Sequence, residues 1–179
     1  MPSELRVDKI SSTASPYDPV FSTTGGALSH RNVIINGAMQ VAQRATSKAD
    51  IGASDGYFTV DRWHLDTGGT SGRLTMSQDS DSPNGFANSL KLDCTTADTS
   101  IAAGELLILQ QRLEGQDLQR FAKGTSEAKA FMVSFYVKGN ASATYVCELF
   151  DGDNSRQISK SFNVTTSWTR VELAFPADT

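Results

Sequence analysis

The chain has 179 residues, 16 of them basic and 20 acidic, for a net charge of −4. That balance argues against a general nucleic-acid binder, which needs a basic face against phosphates, and no apolar run approaches the roughly 20 residues that cross a bilayer as a helix. Ser and Thr make up roughly a fifth of the residues, and 14 glycines are spread among them; this is the balance of short strands joined by polar turns, so composition predicts an all-β fold.

In chain order, residues 1–31 read as an extended arm and linker. Leu5 and Val7 alternate with Glu4, Arg6 and Asp8, and Ile10 closes a short amphipathic strand. The charges there interrupt any continuous apolar core of an export signal. Pro16, Pro19, Gly25 and Gly26 punctuate a Ser/Thr-rich remainder, which cannot bury enough surface to fold by itself. The arm is more apolar than a spacer requires. It is therefore expected to order against another chain's sheet edge, with Leu5, Val7, Ile10, Tyr17 and Phe21 as anchoring residues.

Residues 32–179 read as one β-sandwich. Val33, Ile35, Met39 and Val41 share a parity, with Asn36 and Gly37 as a bend between two half-strands. Residues 48–56 read as a polar loop, 57–66 and 72–78 as strands, and 79–87 as a turn containing Pro83, Asn84 and Gly85. Leu90, Leu92 and Cys94 alternate with Lys91 and Asp93, and 105–113 is a long apolar run. Residues 116–123 form the single helical piece, with Asp117 as its cap, Leu118 and Phe121 on one face, and Gly124 past its end.

The clearest period of two follows. Phe131, Val133, Phe135 and Val137 alternate with Met132, Ser134, Tyr136 and Lys138. Tyr145, Cys147 and Leu149, then Ile158 and Phe162 around Lys160, then Val171, Leu173 and Phe175 mark three more strands. About ten segments at this turn spacing predict a jelly-roll-like β-sandwich with an extended N-terminal arm and one short helix. Val133, Phe135, Val137, Cys147, Leu149, Leu173 and Phe175 are the expected core. The last strand runs into Pro176, which reads as a domain cut short at its C-terminal end.

The sequence presents no nucleophile elbow, zinc-protease motif or P-loop, so no catalytic residue and no cofactor is assigned. Cys94 and Cys147 have no zinc spacing and are expected to be small buried side chains with free thiols. The loops around Asp79 and Asp81 and around Asp151 and Asp153 carry alternating oxygen donors. They lack the terminal Glu of a calcium loop, so they read as polar turns and no metal ligand is assigned. Asp61, Arg62, Trp63 and His64 are consecutive in an expected strand, which would put Asp61 and Trp63 on one face and Arg62 and His64 on the other. An aromatic ring beside a carboxylate suits a sugar ring, but a core Trp beside a tied-down Arg fits equally. Trp168 has the parity opposite to Val171, Leu173 and Phe175 and is expected to face outward. Asp61, Trp63 and Trp168 are the carbohydrate-binding candidates.

Several phrases carry a resemblance. MPSELRVDKI at 1–10 resembles the opening of tail-fibre and other virion proteins of marine phages. NVIINGAMQVAQR at 32–44, then Tyr57 and VDRW at 60–63, resemble the start of a domain common in phage and prophage tail fibres, and LQQRLEG at 109–115, VSFYVK at 133–138 and SWTRVEL at 167–173 continue it in order. Ala45 stands where that family has Gly. The resemblance implies a jelly roll like a carbohydrate-binding module, carried on a homotrimeric fibre, with further strands after the FPAD phrase at 175–178. It identifies no sugar-contacting residue. The expected protein is therefore a non-enzymatic virion component, a tail fibre held by its arm to other virion proteins and facing host surface polysaccharide, with no nucleic-acid partner and no membrane insertion. The rival readings are a carbohydrate-binding module of a secreted bacterial polysaccharide-acting enzyme, a hydrolase whose catalytic residues lie beyond residue 179, and a capsid decoration protein.

Overall fold

The computed structural model describes residues 32–179; the expected anchoring residues Leu5, Val7, Ile10, Tyr17 and Phe21 lie outside the described residues. The chain divides into two units between Val33 and Ile34. The second, Ile34–Thr179, is all-β with one short helix. Its strands are β1 (Ser47–Ile51), β2 (His64–Asp66), β3 (Arg73–Asp79), β4 (Ser89–Thr96), β5 (Ile108–Gln110), β6 (Phe131–Val137), β7 (Ala143–Asp151), β8 (Arg156–Val164) and β9 (Thr169–Phe175). They pair antiparallel in four small sheets, ordered β1-β3-β4, β2-β5, β6-β9 and β7-β8.

The first half closes around Ile51, Leu65 and Met76, against which Phe58, Trp63, Leu90 and Leu92 pack. In the second half, β6 pairs with β9 so that Val133 meets Leu173 and Phe135 meets Val171, while β7 pairs with β8 so that Tyr145 meets Phe162 and Leu149 meets Ile158. Strand alternation puts each of these sets on one face. The two faces meet through rings: Phe135 lies edge-on to Phe162 at 5.0 Å, and the Lys160 ammonium lies 5.8 Å over Phe175. Phe131 stacks on Phe175, tying β6 to β9.

The expected parity is the observed one, but the depth differs. Phe175 is 2% exposed, whereas Val133, Phe135, Val137, Cys147, Leu149 and Leu173 are only half-buried. Two-stranded pairs give each inward side chain few neighbours above it, so period two fixes direction without fixing depth. Cys94 is exposed rather than buried, within the sheet-edge strand β4 opposite Leu74.

Three local expectations need correction. Residues 32–46 form no strand. The Asn36 side chain takes over that backbone instead: its amide donates to the carbonyls of Val41 and Asp61 at 2.9 and 3.0 Å, and its oxygen accepts the Val41 N–H at 3.0 Å. The Gln111 amide likewise bonds both the N–H and the carbonyl of Ile35. Residues 48–51, read as the start of a polar loop, belong to β1, a mostly polar strand that pairs through its backbone with β3. The helical piece is α1 (Gly115–Leu118) followed by a 3-10 turn over Gln119–Phe121. Asp117 lies inside the helix rather than at its cap, Glu114 being the cap residue, and the left-handed C-terminal position is Ala122.

A candidate saccharide face and a charged cleft

The outer face of β6–β9 is built by register. Tyr136 sits opposite Arg170 and Ser134 opposite Glu172, and two residues beyond Tyr136 and before Arg170, just past the strand ends, Lys138 and Trp168 extend the same row. Arg170 and Glu172 form an ion pair at 3.0 Å on this face. The loop between β3 and β4 lies alongside. Hydrogen bonds shape it: Ser82 Oγ donates to Phe86 O at 2.6 Å, Ser89 Oγ to Asp81 O at 2.7 Å, and Phe86 N to Pro83 O at 3.0 Å. This brings Phe86 to 5.8 Å from the Tyr136 ring, tilted by 59°, with each residue 42% exposed.

Asp81 of the same loop accepts the Trp168 indole N–H at 3.0 Å and bonds the Lys138 ammonium, which also lies 5.7 Å over the Trp168 ring. The hydrogen bond from Lys138, reinforced by that from Trp168, holds the Asp81 carboxyl below the usual carboxylate range. Trp168 is half-buried: its polar edge and one face are occupied, so it anchors the face more than it offers a free platform. The free rings are Tyr136 and Phe86. Tyr136 was legible only as a residue on the solvent parity of a regular strand, and an aromatic there is the signal. Phe86 gave none, because its place depends on the loop.

Asp61 and Trp63 are not on a strand, which begins only at His64. The preceding turn separates their roles. Trp63 packs on the core and its indole donates to Asn36 O at 3.3 Å. Asp61 lines a cleft of about 520 Å³ with Gln43, Arg44, Tyr57 and Arg62. Its carboxylate accepts the Gln43 N–H at 3.1 Å and lies 3.7 Å from the Arg44 guanidinium, which sits 5.6 Å over the Tyr57 ring. The two candidates are thus parted, one to the core and one to the cleft.

The acidic loops hold cations of the protein itself. Asp79 Oδ1 and Asp151 Oδ1 accept N–H groups two residues on, from Asp81 and Asp153, while Asp81 bonds Lys138 and Asp151 bonds Lys123. Asp151 also receives the Asn154 amide at 2.7 Å. Lys123 and then Asn154 drive the Asp151 carboxyl well below its ordinary range. Arg156 reaches Asp178 at 2.9 Å and completes a four-charge cluster.

No protein-family model matches the chain, and comparison with curated proteins and with solved structures gives no match either.

Proposed function

We propose that the chain is a phage virion structural protein, a tail-fibre component in which residues 1–31 anchor to other virion proteins and a jelly-roll-like sandwich meets the host surface. The observation that carries the attachment role is the outer face of β6–β9. Tyr136 and Phe86 present exposed rings there, beside the Arg170–Glu172 pair and the Trp168–Asp81–Lys138 tether. Rings flanked by prepaired charges suit a saccharide, whose C–H faces stack while its hydroxyls bond the charged groups. The pairing of the charges keeps the surface neutral overall, so hydroxyls rather than net charge are recognised. The ordered phrases from residues 1–10 to 167–173 support the virion context.

The test has two parts. Mass spectrometry of purified particles should detect this chain, and the isolated assembly should have three times the mass of one subunit. Labelled full chain should bind host cells and be released by their purified surface polysaccharide. A chain absent from particles would overturn the virion reading, and binding unaffected by the polysaccharide would overturn the attachment reading.

A further inference from the structure

The cleft of Gln43, Arg44, Tyr57, Asp61 and Arg62 lies on residues other than the β6–β9 face. We infer that it is a separate binding site for a carboxylated saccharide unit of the uronic acid class. Its volume, about 520 Å³, lies within the range of small-molecule sites. It holds two guanidinium groups and one carboxylate, a local excess of one positive charge in a chain of net −4. The carboxylate is committed: Asp61, with its side chain 17% exposed, is engaged by Arg44 and by the Gln43 N–H. Arg44 in turn is held over Tyr57. Arg62 is different. Among the described residues its guanidinium has no ion-pair partner and its side chain is exposed.

The backbone at Arg62 is also unusual. Its φ is +75°, a left-handed conformation that costs a long side chain stability and that Gly adopts freely. The turn uses Arg where Gly would fit with less strain, and strain of this kind gathers at binding sites. A free guanidinium is a two-pronged donor matched to a carboxylate. The neighbouring Gln43 amide, Arg44 and the Tyr57 hydroxyl supply donors and acceptors for ring hydroxyls. These together select a sugar that bears a carboxylate over a neutral one.

The inference goes beyond the attachment reading and fails separately from it, because its test uses a defined small probe and needs neither host nor particle. Calorimetric titration of the full chain with trigalacturonate, with the neutral trisaccharide of galactose, and with acetate separates the sources of binding. Trigalacturonate should bind with millimolar or better affinity that weakens with salt, at least tenfold more tightly than the neutral trimer, and acetate at equal carboxylate concentration should not compete. Arg62→Gln should lose at least tenfold in affinity, with melting unchanged. Arg62→Gly should lose the same affinity while melting at the same or a higher temperature. Equal binding of the two trimers, full competition by acetate, no heat with trigalacturonate, or wild-type affinity in Arg62→Gln would each overturn it.

Discussion

The indole N–H of Trp168 donates to the carboxylate of Asp81 at 3.0 Å across 87 residues of sequence. This bond ties the β8–β9 turn to the β3–β4 loop and so fixes Phe86 beside Tyr136. It depends on ionisation of Asp81, whose carboxyl is depressed first by the hydrogen bond from Lys138 and then by that from Trp168. A depressed folded-state value means that the stabilisation is fully present above the unfolded value near 3.8 and is lost as pH falls through the lower folded value. Tryptophan fluorescence should therefore hold steady down to about pH 4 and change below it. Trp168→Phe should remove that acid transition. Its persistence in the variant would assign the transition to another group.

Depth of burial should set the cost of ring removal. Phe175 is 2% exposed and touches Phe131 and Lys160, so Phe175→Ala should cost about 3–5 kcal/mol. Half-buried Phe135 should cost about 2 kcal/mol. Urea unfolding measures both, and equal losses would mean that the inner faces are covered to the same depth.

Both cysteines are free, and they should react differently. Cys94 is exposed, whereas Cys147 is half-buried and burial raises its thiol pKa. At pH 8 a thiol reagent should modify Cys94 quickly and Cys147 at least tenfold more slowly, the thiolate being the reactive form. Mass spectrometry under non-reducing conditions should find no peptide pair linking them.

Gly52 follows β1 at a φ of +150°, and a Cβ there would lie 2.3 Å from the carbonyl oxygen of Gly72. The contact is with backbone and has no side chain to yield, so Gly52→Ala should destabilise the chain by about 2 kcal/mol or more. Thermal melting with no downward shift would show that the β1–β3 bulge relaxes freely.

Strands with apolar residues at every second position, β3, β4 and β6–β9, were legible in the sequence because one face of each meets other side chains. Between 32 and 66 that rule misled. Val33, Ile35, Met39 and Val41 alternate, yet the side chains of Asn36 and Gln111 satisfy the local backbone and remove the need for a ladder. The polar β1 escaped notice for the converse reason, since its pairing is carried by backbone groups. The site divides in the same way. Strand parity puts Trp168 on the outer row, but its half-burial, its partner Asp81 and the neighbour Phe86 depend on a loop whose shape rests on hydrogen bonds of Ser82 and Ser89. Asp61 reaches the cleft only because the chain turns before His64.

The attachment role of the β6–β9 face is tested most directly by particle adsorption to host cells. The comparison is wild type against the double variant Tyr136→Ala, Phe86→Ala. Both rings are 42% exposed, so their removal should leave folding and incorporation intact while taking away the stacking surface. Loss of two ring contacts, about 1.4 kcal/mol in total, corresponds to roughly tenfold weaker attachment. Adsorption should fall roughly tenfold at wild-type incorporation. Wild-type adsorption by particles carrying the double variant would contradict it.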